Sequence, residues 1–131
     1  MRIEDVPIPK PSANQVLIKV VVSGSNPKDW KVPQWMDGEN HQGDDLAGVV
    51  HEVGSNVTEF KPGDRVAAMH EMLVPHGSYA EYAIAWDYAT FHLPDKTSFE
   101  GTFPFSPFVS LLPLSQPPPL YLDRLSHPPI K

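Results

Sequence analysis

Two glycine-containing turns and the segments around them, within residues 43–66, constrain the fold of this chain more than any other feature. Residues 46–53 are rich in β-branched side chains and predict a strand. Residues 61–64 read Lys-Pro-Gly-Asp, which predicts a type II turn, because proline presets the first central φ and glycine supplies the positive φ after it. Residues 65–70 predict the next strand. Short strands separated by turns in this way indicate a small barrel or sandwich.

The other segments before residue 100 repeat this alternation of strands and turns. Residues 15–22 predict a strand buried on both faces, residues 78–85 a strand that carries aromatic side chains, and residues 90–93 a short last strand. After the first of these strands, Asn26 and Pro27 favour the cap and the first position of a short helical turn. We therefore expect a mostly β fold, a partial β-barrel with short helical turns.

The composition changes after residue 100, where half of the 16 prolines lie. This segment has neither helical nor strand periodicity. We expect residues 1–100 to form one domain, and residues 101–131 to be a proline-rich tail that is disordered or the product of an incorrect gene model. A polyproline ligand for an aromatic groove is the alternative interpretation of the same residues.

Charge and cysteine content argue against several classes of function. The chain has 10 Lys and Arg against 16 Asp and Glu, and the resulting net charge of −6 argues against binding to nucleic acid or to an anionic membrane. It contains no cysteine, which excludes disulfides, thiolate metal sites and cysteine nucleophiles. No secretory signal follows Met1, and no stretch approaches the ~20 apolar residues that span a bilayer, so we expect a cytoplasmic protein.

Three motifs, in order along the chain, are similar to those of one enzyme family. Residues 26–29 read Asn-Pro-Lys-Asp, residues 43–54 read Gly-Asp-Asp-Leu-Ala-Gly-Val-Val-His-Glu-Val-Gly, and residues 77–82 read Gly-Ser-Tyr-Ala-Glu-Tyr. Over residues 2–100 the chain resembles the GroES-like N-terminal domain of the zinc-independent medium-chain dehydrogenases and reductases. Quinone reductases and the enoyl reductases that serve polyketide pathways belong to this branch. The resemblance also implies one more strand before Ile3, so we expect the first strand to be missing and a sheet edge to be open.

The resemblance implies an activity and a cleft. The activity is hydride transfer from NADPH to an activated alkene or quinone, with this chain as the N-terminal fragment of the catalytic unit and a small molecule as substrate. The cleft residues are Asn26, Lys28 and Asp29, which would face the nicotinamide and the substrate, with Asn26 and Asp29 touching the cofactor. Asp45 joins them, because its position is acidic in both the zinc-dependent and the zinc-free branches. Pairing with a full-length relative or a polyketide synthase is a further expectation.

Each of these residues also has a structural interpretation. Asn26 would cap a helix, Asp29 would be a surface charge near a helix start, and Lys28 would be solvated. Asp44 and Asp45 are adjacent, and the alternation of side chains along a strand predicts that they point to opposite faces and do not meet.

No metal site is expected from the sequence. Zinc-dependent members of the family carry Gly-His-Glu where this chain has Gly-Asp-Asp at residues 43–45, and their cysteine ligand has no counterpart here. The spacing of His70 and His76 does not match His-Glu-x-x-His, and we expect the histidines to be scattered on the surface. The aromatic residues, Tyr79 among them, are expected to pack in the core and at hinges rather than to form a stacking platform.

The nucleotide-binding turn of such enzymes has no counterpart in this sequence. A dinucleotide site needs a Gly-x-Gly-x-x-Gly turn at a helix start, and the 8 glycines never fall in that pattern. We therefore expect this polypeptide to show no reductase turnover by itself. Two alternatives to an enzyme fragment stay open at this point, a non-catalytic β-barrel binding module and a non-functional truncated product.

Overall fold

The computed structural model describes residues 3–31 and 43–102, which form one antiparallel sheet with a few helical turns. The five strands are β1 (Gln15–Ser23), β2 (Asp45–Val53), β3 (Arg65–Met69), β4 (Tyr82–Trp86) and β5 (Thr90–His92). They lie in the order β4-β1-β2-β3-β5. The helical parts are α1 (Pro27–Lys31) and two 3-10 turns, Asp87–Ala89 and Glu100–Thr102. The predicted mostly β fold, a half-barrel with short helical turns, is confirmed.

The predicted proline-rich tail lies outside the described residues from residue 103 onward, and so does the stretch 32–42. Residues 3–11 are described and have no regular secondary structure. Within 3–31 and 43–102, no helix has the length and apolar character that a membrane span requires.

The core lies mainly on one face of the sheet, where alternate residues of neighbouring strands meet. Its buried members are Val16, Ile18, Leu46, Val50, Val57, Phe60, Val66, Ala68, Ala83 and Ala85. A smaller cluster of Ala47, Ala67 and Leu93 packs with Phe91 and Phe99. Leu17 is as fully buried as its neighbours Val16 and Ile18, so β1 is covered on both faces there, but Lys19 and Val21 are exposed and the prediction is wrong for the second half of the strand. Each such aliphatic side chain contributes about 1.5–3 kcal/mol to folding.

The turn at residues 61–64 adopts the predicted geometry. Gly63 has a φ of +94°, and Asp64 donates its backbone N–H to the Lys61 carbonyl at 3.1 Å. The Asp64 carboxylate accepts a further bond from the Lys61 backbone at 3.0 Å. A hydrogen bond from the Lys61 side chain lowers the pKa of Asp64. The turn is also joined to β2, because Gly63 N–H donates to the Val50 carbonyl and Val50 N–H donates to the Asp64 carbonyl, both at 2.9 Å.

The strand predicted over 78–85 is wrong at its start, because β4 begins only at Tyr82. Ser78 donates its backbone N–H to the Gly43 carbonyl at 2.7 Å, and its Oγ lies 2.6 Å from the Ser23 Oγ. Ser78 is thus bonded to the residue before Asp44 and to the last residue of β1 through contacts other than the regular ladder, which β4 forms with β1 from Tyr82 onward. The sequence pattern alone carries no sign of them.

His70 is buried, so the prediction that the histidines are scattered on the surface is wrong for this residue. Its Nδ1 lies 2.6 Å from the Ile84 carbonyl oxygen, and its Nε2 lies 3.1 Å from the Val74 carbonyl oxygen. The N–H of Ile84 donates to the His76 carbonyl at 3.1 Å. The loop over 70–76 thus supplies partners for the polar backbone of Ile84 on the outer edge of β4, where unpaired groups would be costly.

Gly48 gives a test of the β1–β2 contact. A Cβ at this position would lie 2.1 Å from the Lys19 carbonyl oxygen, whereas a Cβ at Gly63 would meet nothing within 4 Å. We expect Gly48→Ala to lower the free energy of unfolding by about 3 kcal/mol or to prevent folding, because backbone must move. Gly63→Ala should cost only about 1–2 kcal/mol, from its positive φ.

Urea unfolding followed by circular dichroism measures both values. A Gly48→Ala variant that is as stable as Gly63→Ala would show that the two strands are not in such close contact.

Candidate functional site

The start of α1 is held by the side chain of Asp29. Its Oδ2 accepts a bond from the backbone N–H of Asn26 at 2.6 Å, and its own N–H donates to the Asn26 carbonyl at 3.0 Å. This reciprocal pairing is typical of a helix start, where an acidic group also suits the positive end of the helix. Asp29 is only 8% exposed, so its alternative interpretation as a surface charge is wrong.

The side chain of Asn26 links α1 to β2. Its Nδ2 donates to Asp45 Oδ2 at 2.5 Å, across nineteen residues of sequence. Asp45 is buried at the first position of β2, and a buried carboxylate needs such a partner. Asn26 lies directly before α1, where a cap was expected, and its backbone bonds to Asp29, while its side-chain amide serves the contact between α1 and β2.

Lys28 lies between two carboxylates, so the alternative of a solvated side chain is wrong. Its Nζ is 3.1 Å from Asp29 Oδ1 and also forms an ion pair with Asp44 Oδ2. Its side chain is 34% exposed. Burial acts to lower the pKa of Lys28, but the hydrogen bonds to Asp44 and Asp29 outweigh it and raise the pKa above its ordinary value. Lys28 is therefore a fixed cation at neutral pH.

Asp44 is a residue of the site that sequence reasoning left out. Strand alternation predicts that Asp44 and Asp45 point to opposite faces and do not meet, and the two carboxylates have different partners. Both carboxylates contact residues of the α1 region, Asp44 through Lys28 and Asp45 through Asn26. The sequence signal for Asp44 is that it is a second acid beside Asp45, with Lys28 in the nearby helical turn to act as its counterion.

Tyr79 also reaches the site, although the sequence predicted only a packing role for it. Its hydroxyl donates to Asp29 Oδ2 at 3.1 Å. Burial raises the pKa of Tyr79, so the hydroxyl remains a neutral donor at physiological pH. No local pattern indicates this contact, because it depends on the irregular path of residues 78–81.

These contacts border a cleft of about 280 Å³, which we call the α1 cleft. Its lining residues are Asn26, Pro27, Lys28, Asp44, Asp45, Met69 and Met72. One part of the lining is polar, and the proline and two methionines form an apolar, adaptable part. Lys28 pairs with Asp29 and Asp44, and Asp45 is a third buried acid bonded to Asn26, so the carboxylates outnumber the ammonium and the local charge is negative. Such a site favours an uncharged or cationic planar group over an anion.

The structure thus brings all four predicted residues, Asn26, Lys28, Asp29 and Asp45, into one connected group. A second cavity of about 300 Å³ lies elsewhere, beside His70 and Trp86, and contains none of them. In the part of the chain that is described, no three His, Cys, Asp or Glu side chains are arranged to hold a metal ion.

The Lys28 ion pairs predict a measurable pH dependence. Because the folded-state pKa of Lys28 lies above its ordinary value of 10.5, its stabilisation is fully present below that value and is lost as the pH rises through the folded-state pKa. Lys28→Met should lower the free energy of unfolding at pH 8 by about 1–2 kcal/mol, less than for a fully buried pair. The difference from the unmodified chain should shrink above pH 10.5.

Lys31→Met is the matched control, since Lys31 ends the same helix and lies over the Trp30 ring at 5.2 Å. It should cost less than about 1 kcal/mol. Urea midpoints between pH 8 and 11.5 test both variants, and equal losses for Lys28 and Lys31 would contradict the assignment.

The sequence of this chain is similar to those of reductases and quinone oxidoreductases. The chain is 50% identical over 114 residues to the trans-enoyl reductase fsr4 of Gibberella fujikuroi, a match that covers 84% of this chain and 34% of that protein. It is 41% identical over 104 residues to the quinone oxidoreductase of Sus scrofa, covering 73% of this chain and 30% of that one. The chain therefore spans about a third of the length of these curated relatives.

The fold matches solved structures over the same region. The Escherichia coli quinone oxidoreductase complexed with NADPH superposes with a TM-score of 0.63 at 26% identity, covering 75% of this chain and 30% of that one. Residues 12–95 match the alcohol dehydrogenase GroES-like domain. The predicted resemblance is confirmed, and this chain belongs to the alcohol dehydrogenase GroES-like domain family, with enoyl reductases and quinone oxidoreductases among its relatives.

Proposed function

We propose that this chain is the N-terminal, substrate-facing part of a zinc-independent, NADPH-dependent reductase that transfers hydride to an activated alkene or quinone in the cytoplasm. One observation carries the proposal: Asn26, Lys28 and Asp45 line one cleft, and Asp29 holds the first two in place. The identity to a trans-enoyl reductase and to quinone oxidoreductases supports the reaction class. The NADPH in a solved relative supports the cofactor.

The charge of the α1 cleft suits the nicotinamide end of such a cofactor. NADPH would supply the hydride when it is bound. The carboxylates of Asp29, Asp44 and Asp45 outnumber the single ammonium of Lys28, so the cleft would suit a nicotinamide ring, which is more positive after hydride transfer than before. We assign Asn26 and Asp29 to the cofactor side, Asn26 through its position in the cleft and Asp29 by holding Asn26.

Lys28 is suited to the acceptor side of the reaction. An ammonium group has three N–H donors, and contacts to Asp29 and Asp44 engage two of them. The third is available for the carbonyl oxygen of an enone, enoyl thioester or quinone, where negative charge develops after hydride addition. A fixed cation is effective here because it needs no reorientation during the reaction.

Zinc does not fit the α1 cleft. The chain has no cysteine, and the two buried acids of the cleft, Asp44 and Asp45, are engaged by Lys28 and Asn26. Ligation by either acid would separate an existing pair. The proposed mechanism therefore uses the ammonium of Lys28, rather than a metal ion, as the electrophile. A non-catalytic binding module and a non-functional product are not favoured, because the relatives are enzymes.

A chimaeric enzyme tests the proposal. Residues 1–100 of this chain would replace the matching segment of the trans-enoyl reductase fsr4, with which it shares 50% identity. We expect NADPH-dependent reduction of an enoyl thioester or of 1,4-benzoquinone, which is followed by the loss of NADPH absorbance. Asn26→Ala in the chimaera should lower kcat/KM by about 10- to 100-fold, through loss of a preorganised polar contact.

Glu52→Gln, an exposed position on β2, is the matched control and should leave kcat/KM unchanged. A folded chimaera without activity, beside an active parent enzyme, would overturn the proposal. The ratio of thioester to quinone turnover identifies the acceptor class.

A further inference from the structure

The segment that leaves the β4 ladder passes directly beside the α1 cleft. Ser78 is buried and bonded to Gly43 and Ser23, which fixes the backbone just before Tyr79. Gly43 has a φ of +90°, and a Cβ there would lie 2.3 Å from Ser78 Oγ and 2.8 Å from the Tyr79 ring. The glycine therefore leaves the space that the Tyr79 ring occupies, two residues before Asp45.

Asp29 is the point at which this segment meets the site. Its carboxylate accepts bonds from the Asn26 backbone at 2.6 Å and the Tyr79 hydroxyl at 3.1 Å, both on Oδ2, while Oδ1 pairs with Lys28 at 3.1 Å. The Asp29 side chain is only 4% exposed. A carboxylate this buried is oriented by its protein donors, because little water reaches it. Tyr79 is the donor that comes from outside the α1 region.

We propose that Tyr79 is a positioning residue of the α1 cleft, which orients the Asp29 carboxylate and thereby fixes Asn26 and Lys28. The proposal deepens the proposed function and rests on it for any effect on catalysis. Its structural part concerns the geometry of Asn26 and Lys28 and stands without any assumption about the substrate. Tyr79 reaches neither the substrate nor the cofactor in this role, since it acts through Asp29.

Two substitutions separate the hydroxyl from the ring. Tyr79→Phe keeps the ring against Gly43 and removes the hydroxyl with its bonds to Asp29 and Ser25, while Tyr82→Phe removes a hydroxyl from a neighbouring tyrosine whose ring packs on His51 at 5.0 Å. Without the Tyr79 donor, the Asp29 carboxylate should lose the orientation in which its Oδ1 faces Lys28, and this ion pair should weaken. We expect a lower pKa of Lys28 in Tyr79→Phe and an unchanged one in Tyr82→Phe.

The first measurement uses the 131-residue chain labelled with carbon-13 and nitrogen-15. The Lys28 Cε shift is followed from pH 8 to 12, together with the Asn26 side-chain amide signals. A lower Lys28 pKa and displaced Asn26 signals in Tyr79→Phe alone support the proposal. Unchanged signals overturn it, and so does a loss of thermal stability without a change at Lys28 and Asn26, since that result indicates a packing role only.

The second measurement uses the chimaeric enzyme. Tyr79→Phe should lower kcat by about 5- to 20-fold with little change in KM, since misorientation of preorganised groups affects the transition state more than binding. Tyr82→Phe should retain full activity. If the chimaera with Tyr79 intact is inactive, the proposed function fails while the spectroscopic result still decides the role of Tyr79. If the chimaera is active and its Tyr79→Phe variant has the same kcat, the catalytic part of the inference is overturned.

Discussion

Three carboxylates that are each less than a tenth exposed meet at one end of the sheet, and the rest of the site depends on how they are compensated. Burial of an unpaired carboxylate is costly. Lys28 serves Asp29 and Asp44, and Asn26 serves Asp45. Hydrogen bonds and ion pairs to these acids consequently join the helix start, the start of β2 and the segment at Tyr79. The strands of the sheet, in contrast, are packed by apolar contacts. Movement of α1 would expose or orphan at least one of these acids.

The sequence predicts the parts of this structure that depend on local interactions. The β2 strand follows from its β-branched residues, and the Lys61–Asp64 turn and the helical turn at Pro27 follow from the conformations of proline and glycine. The four cleft residues were identified from the family resemblance and not from local pattern. The structure shows that they are in contact, which the resemblance only implied.

The features that escaped prediction all depend on partners distant in sequence. β4 begins only at Tyr82, and Ser78 before it is bonded to Gly43 and Ser23. His70 is buried with its Nδ1 2.6 Å from the carbonyl oxygen of Ile84, fourteen residues away. Asp44 and Tyr79 belong to the site because their partners, Lys28 and Asp29, lie in α1. Residue type and periodicity carry no information on such pairings before the topology is known.

The edge of the sheet at β4 also bears on how copies of this domain associate. An uncovered edge strand offers its N–H and C=O groups to a strand of another molecule. At Ile84 both groups already have partners within the chain, His76 for the N–H and His70 for the carbonyl. The opposite edge is β5, which is three residues long and offers few hydrogen bonds to a partner strand. The buried His70 occupies the Ile84 carbonyl and therefore blocks intermolecular β-sheet extension at this residue. Such extension is the first step of many aggregation reactions.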